Sequence, residues 1–200
     1  MSREASYERD KWNRRYRERG LGGCGGEPTP WLADHRHLLN HPGGTALDLA
    51  CGNGKNSFFL ASLDYRVDAL DISDVAVAHI QTEAQRHNAN VTARRENLRT
   101  ADLPNAEYDV VVCFRYLERR LFPMIEKALR PGGLVFIETF TRRDPEISGK
   151  AFPPELLLDE GELKRSFPTL EIVAEREEIV ALPGKEPRAL ASLVARRPAL

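Results

Sequence analysis

The sequence predicts an α/β fold: a mainly parallel sheet with an antiparallel end, covered by helices on both faces. Three observations carry this. Beyond residue 44, short apolar runs alternate with segments of helical period, as parallel strands joined by crossover helices require. The first run drops into a glycine-containing turn, "CGNGK" at residues 51–55, where an open parallel sheet turns into its first helix. The runs at 169–180 and 188–197 follow one another with no crossover helix between them, so they must pair antiparallel.

Element by element, "SYERDKWNRRYRERG" predicts an amphipathic helix pinned by Tyr7, Trp12 and Tyr16, and a glycine-rich stretch breaks it from "WLADHRHLL". Residues 1–44 are thus expected to form a helical cover segment on one domain, with the core at 45–200. "TALDLAC" is the first buried strand and "KNSFFLASL" the first crossover helix. "YRVDALDI" is the second strand, followed by helix "SDVAVAHIQTEAQRHN", capped by Ser73 or Asp74. "VTARRE" and "YDVVVCF" are strands three and four. A helix over "LFPMIEKALR", ended by Pro131 and Gly132, leads to strand "GLVFIETF". Residues 141–154 read as a charged surface loop, "LLLDEGELKRSF" as a helix, and "TLEIVAEREEIV" and "RALASLVARR" as the closing strands.

With 42% hydrophobic and 30% charged residues and a net charge of -1, the chain is neither disordered nor a broad nucleic-acid binder. No run approaches the ~20 apolar residues that cross a bilayer, and the first twenty residues lack the apolar core of a secretory signal. A cytoplasmic protein with a small-molecule partner, without nucleic acid or membrane, and monomeric or homodimeric, is the expectation. Cys24, Cys51 and Cys113 are scattered, so reduced thiols are expected, Cys51 and Cys113 as small core residues. His35, His37 and His41 have no spacing specific to a metal, and no metal is expected.

The glycine turn carries the chemistry. Gly52 and Gly54 let the backbone approach a ligand closely. A Walker loop fails, because Leu49 stands where its first glycine belongs and Asn56 where Ser or Thr should follow Lys55. A dinucleotide fingerprint has Ser57 at its third glycine position, although Asp71 lies near the distance expected of a ribose-binding acid. Asp48 decides between them: a carboxylate before the turn repels a pyrophosphate on the next helix N-terminus and favours a cationic ligand. S-adenosylmethionine, with a sulfonium, an ammonium group and no phosphate, fits. A nucleotide-dependent oxidoreductase stays as the alternative.

In "ALDLACGNGKNSFFLA", "VDALDIS", "YDVVVCFRYL" and "ALRPGGLVFIETF", the chain resembles the class I S-adenosylmethionine-dependent methyltransferases over most of its length. "KWNRRY" and "RYLERRLFPMIEKALRPGGLVFIETF" make it most similar to small bacterial enzymes grouped with tellurite-resistance and thiopurine-type methyltransferases. The resemblance implies a Rossmann-like seven-stranded sheet whose last strand is antiparallel. It places Asp48, Ala50, Gly52, Asn53 and Gly54 at the methionine end of the cofactor, Asp71 on the ribose hydroxyls and Ile72 against adenine. Asn97 and Leu98 follow strand three, with Asn97 where the family usually has an acid. Phe114 would line the cofactor pocket, and Trp12 and Tyr16 would cover it.

Methyl transfer asks a protein mainly for alignment and exclusion of water, and an anionic acceptor needs no base. No histidine or acid pair near the fourth strand presents itself as one, so no catalytic residue is assigned. Arg115, Tyr116 and Arg119 after that strand are the acceptor-side candidates, suited to a small anion such as a thiolate or chalcogen oxyanion. Alternatively Arg115 pairs with Glu118 or Glu138, and Arg119 belongs to a solvated face. A non-catalytic S-adenosylmethionine-binding regulator would carry the same cofactor motifs.

Overall fold

The computed structural model describes residues 3–22, 26–181 and 186–199; Cys24 lies outside them. Its strands are β1 (Thr45–Leu49), β2 (Arg66–Asp71), β3 (Val91–Arg95), β4 (Tyr108–Phe114), β5 (Leu129–Phe140), β6 (Glu171–Val180) and β7 (Arg188–Arg196). They form one seven-stranded sheet in the order β3-β2-β1-β4-β5-β7-β6. β1 with β2 and β2 with β3 run parallel, while β7 runs antiparallel to both β5 and β6. The helices are α1 (Arg3–Arg19), α2 (Pro30–Asp34), α3 (Lys55–Ser62), α4 (Asp74–His87), α5 (Leu121–Ala128), α6 (Asp144–Ser148) and α7 (Glu162–Arg165). The chain separates into two compact units, the first running up to Asp102 and including Tyr108–Val112, the second holding Leu103–Glu107 and everything from Cys113. Among the described residues, no helix is long and apolar enough to cross a membrane.

In the first unit β1 is buried at four of its five residues, as a strand covered on both faces must be. Ala46, Leu47, Leu49, Leu60, Ala69 and Ile80 pack its core with 0–1% exposure. α4 starts where the sequence predicts, because the Ser73 hydroxyl accepts from the Ala76 amide at 3.2 Å. It stops at Asn88, which takes the left-handed conformation of a C-terminal cap. In the second unit β7 is buried at its seven inner residues. Val135, Phe136, Ile137, Leu193 and Val194 form its centre under Leu121, Ile125 and Phe167.

Three segments differ from the sequence expectation, the first two because backbone groups find partners in the sheet. The helix expected through Arg130 ends at Ala128. Pro131 disfavours a helical residue before it, and Gly132 donates to the Arg197 carbonyl at 2.8 Å, so 129–132 begins β5. In the expected helix 156–167 only Glu162–Arg165 is α-helical. The reason lies at Leu158, which donates to the Phe140 carbonyl at 2.9 Å while its own carbonyl accepts from Arg142. The expected loop 141–154 contains α6, whose Asp144 is fully buried.

Candidate active site

In the first unit the chain leaves β1 through a loop of alternating left-handed residues: Ala50 (φ 55°), Gly52 (φ 57°) and Gly54 (φ 79°). Ala50 holds this conformation despite its β carbon, a strain of about 1–2 kcal/mol. The Cys51 amide donates to the Leu70 carbonyl at 3.0 Å, which fastens the loop to the end of β2, and Gly54 begins α3. A β carbon on Gly54 would lie 2.8 Å from Ile80 Cγ1, so packing against α4 demands this glycine. On Gly52 it would lie 3.1 Å from the Tyr16 hydroxyl.

Two carboxylates frame the loop. Asp48 is 1% exposed and accepts the Ser57 hydroxyl at 2.6 Å. Burial pushes its carboxyl from 3.8 up to about 7; the charge of Asp71 pushes the same way, against the hydrogen bonds from Ser57 and the charge of Lys55. Asp71 accepts the Gly52 amide at 2.9 Å on one oxygen and the Ser73 amide at 2.9 Å on the other. Burial lifts its carboxyl too, despite those amides and that of Ile72. Burial and the charge of Asp71 also raise the Tyr16 phenol, and burial and the two aspartates raise the Cys51 thiol. Burial makes the charge on these acids costly, and a nearby positive charge would lower that cost. They fit a cationic ligand and oppose a pyrophosphate.

The N-terminal segment follows this loop residue by residue. Tyr16 stands over Gly52, the Leu21 carbonyl accepts from Asn53 Nδ2 at 3.2 Å, and the Thr29 amide donates to Asn56 Oδ1 at 2.8 Å. Trp12 packs on Tyr16 with ring centroids 5.7 Å apart. One turn earlier the buried Asn13 accepts the Ser73 hydroxyl at 2.6 Å and the Val75 amide at 3.3 Å. Arg9 and Arg95 both reach Asp74, and Arg99 pairs with Glu4.

The structure thus joins Asp48, Gly52, Asn53, Gly54, Asp71, Trp12 and Tyr16 around one loop, with Ala50 its first left-handed residue and Ile72 half-buried after Asp71. Leu98 is buried, while Asn97 closes its own turn: its side-chain oxygen accepts from the Arg99 amide at 3.2 Å. Sequence reasoning missed Asn13, Asn56 and Ser57 as working residues. The available signal was polarity inside predicted buried stripes, since Asn56 and Ser57 are buried in α3.

The second unit holds Phe114, Arg115, Tyr116 and Arg119. Phe114 is buried at the end of β4. Arg115 is left-handed at φ 60°, its amide donating to the Glu138 carbonyl at 2.8 Å. Its Nη2 lies 3.0 Å from Glu138 Oε1. Glu138, 1% exposed, also takes Arg176 at 2.9 Å and the Ser192 hydroxyl at 2.7 Å on its other oxygen. Arg115 and Arg188 carry their guanidinium carbons 5.0 and 3.9 Å from the Phe140 ring centroid, and Asp144 grips Arg188 through both oxygens. Tyr116 is half-buried, and its carbonyl accepts from the Cys113 thiol. Arg119 is a clamp rather than a free cation: it holds both oxygens of Glu162 and donates to the carbonyls of Glu155 and Leu157. Among the described residues, no group of three or more His, Cys, Asp or Glu side chains could hold a metal ion.

Comparison with known proteins agrees with this geometry: residues 46–133 match a methyltransferase domain family. That stretch resembles a methyltransferase domain. Among its relatives is the ubiquinone biosynthesis O-methyltransferase of Burkholderia vietnamiensis, 31% identical over 120 residues, 56% of this chain and 50% of that protein. Another is the probable S-adenosylmethionine-dependent methyltransferase TehB of Haemophilus influenzae, 30% identical over 87 residues, 42% of this chain and 30% of TehB. The chain spans half or less of the length of these curated relatives. The crystal structure of Haemophilus influenzae TehB superposes with a TM-score of 0.74 at 20% identity, covering 93% of this chain and 67% of that one. The chain therefore has the Rossmann-like fold of that protein, and the stretch that matches the methyltransferase family includes Asp48, the glycine loop and Asp71.

Proposed function

We propose that the chain is an S-adenosylmethionine-dependent methyltransferase for a small acceptor that reacts as an anion, such as a thiolate or chalcogen oxyanion. The supporting observation is the buried pair Asp48 and Asp71, both lifted by burial and joined through the Gly52 loop. Asp48 would receive the ammonium of the methionine end, and the remaining lone pairs of Asp71 the ribose hydroxyls. Ile72 and Leu98 would offer apolar surface to adenine, and Asn97 a neutral acceptor to its amino group. Trp12 and Tyr16, held over the loop by Asn13, would exclude water. When bound, the cofactor supplies a methyl group activated by a sulfonium, open to in-line displacement. The chain's own work is alignment and shielding, and an anionic acceptor requires no proton transfer.

Titration calorimetry with S-adenosylmethionine and its demethylated product tests this: saturable binding, weakened at least ~10-fold in Asp71→Asn, is expected. Absence of binding to both would sink the assignment. Turnover against thiols, chalcogen oxyanions, phenols and amines then sorts the acceptor, and cofactor binding without turnover of any would favour a regulatory binding protein.

A further inference from the structure

The ionic cluster of the second unit is not explained by stability alone. Replacing buried ion pairs by apolar groups is often neutral or stabilising, so an elaborate buried pair is weak evidence for a structural role. Here Arg115 is held in a left-handed backbone conformation directly after β4, and a single nitrogen, Nη2, engages Glu138. Its Nη1 is buried and has no hydrogen-bond partner. A buried charged donor without a partner is costly, and residues kept in such a state cluster at functional sites. Glu138 cannot turn to satisfy it, because its second oxygen is taken by Arg176 and Ser192. Asp144 cannot either: both its oxygens hold Arg188 and the Ala189 amide.

The charges around Arg115 select the missing partner. Arg115, Arg176 and Arg188 face Glu138 and Asp144, leaving one positive charge in excess among these five groups. Glu178, which also reaches Arg176, and Glu186, which feels the charge of Arg188 but is paired with Lys150, are 56% and 62% exposed and screened by solvent. A single negative charge balances the cluster, whereas a dianion would overcharge it beside two buried carboxylates. The half-buried Phe140 and Phe152 rings, 5.2 Å apart, give the same place an apolar wall.

We propose that Arg115 binds a monoanionic carboxylate borne on a small apolar acceptor, and that Glu138, fixed by Arg176 and Ser192, is the positioning residue that aims it. This rests on the methyltransferase assignment and specifies its acceptor: the recognised anion is a group distinct from the atom that receives the methyl. The preference for one charge over two belongs to Glu138 and Asp144, which a simple basic patch would lack.

Calorimetry on the full chain, saturated with the demethylated cofactor, tests this with hexanoate, hexyl phosphate and hexanol as probes of one tail and three head groups. Hexanoate should bind at least about tenfold more tightly than either of the others. Arg115→Met should remove that preference and Arg115→Lys should restore part of it. Glu138→Gln, which keeps an oxygen for Ser192, should weaken hexanoate several-fold while leaving cofactor affinity unchanged, a split that a purely structural role would not give. Equal binding of hexanoate and hexanol by the unaltered protein would overturn the proposal without any variant having to fold. So would tighter binding of hexyl phosphate, or an unchanged hexanoate affinity in Arg115→Met. Cofactor affinity, read in the same experiments, separates the two ideas: its absence overturns the methyltransferase assignment, whereas its presence with no hexanoate preference overturns only the carboxylate site.

Discussion

Replacing Asp48 by asparagine separates its charge from its shape. The amide is nearly isosteric, and its oxygen can still accept the Ser57 hydroxyl that bonds Asp48 at 2.6 Å. In the protein without ligand, burial, seconded by the charge of Asp71, lifts this carboxyl from 3.8 to about 7. A group whose folded value exceeds its unfolded one stabilises the fold fully below the unfolded value and loses that contribution as pH rises toward the folded one. The lift corresponds to about 4 kcal/mol. Wild type should therefore lose stability progressively from about pH 4 to about pH 8. The advantage of Asp48→Asn should grow from below ~2 kcal/mol at about pH 5 to as much as ~4 kcal/mol at about pH 8. Urea denaturation at these two pH values measures it. A variant equally destabilised at both, or most favoured at the lower, refutes the reasoning. The same logic links to the cofactor, whose cation should draw the carboxyl into its charged form. Binding near neutral pH should then release protons, seen by calorimetry in buffers of different ionisation heat, and Asp48→Asn should bind more weakly with less release.

Three further substitutions probe the framework. Gly54→Ala should destabilise by roughly 2–4 kcal/mol in urea, combining left-handed strain with overpacking against Ile80 and Phe58. Asn13→Ala, which strips the Ser73 hydroxyl and Val75 amide of a buried acceptor, should cost about 1–3 kcal/mol and speed tryptic cleavage within α1. Arg119→Gln should lower stability by about 1 kcal/mol, because its clamp on Glu162 is partly exposed, and leave the KM for the acceptor untouched; a raised acceptor KM would return Arg119 to the acceptor side.

The sheet was legible because its signal is periodic and long: every strand anticipated at 45–51, 65–72, 91–96, 108–114 and beyond has its counterpart. Failures fell where short-range pattern competes with long-range pairing. The leucines at 156–158 have helical neighbours in sequence, yet Leu158 pairs across to Phe140 and Arg142. Arg130 continues a helical pattern, but Pro131 and the partner strand pull it into β5. Within the candidate site, Asp48 and Asp71 stand out in the sequence as acids near the ends of apolar strands, and the structure buries both beside the glycine loop. The partners that orient the site did not. Asn13 works through Ser73, sixty positions away, and nothing local marks that pairing. Arg119, a charge that invites a ligand in sequence, is turned in space toward Glu162 and the carbonyls of Glu155 and Leu157.

The cover over the glycine loop also equips the protein with its own optical gauge. The sequence contains two tryptophans, and one of them, Trp12, lies against Tyr16, whose hydroxyl stands above Gly52. The other, Trp31, is buried and packed at a tilt against His35 with ring centroids 4.2 Å apart. Any ligand that displaces Tyr16 or shields Trp12 must alter the emission of one half of the indole signal. Binding at this loop can therefore be followed by intrinsic fluorescence without a label, and Trp12→Phe assigns the change to its source.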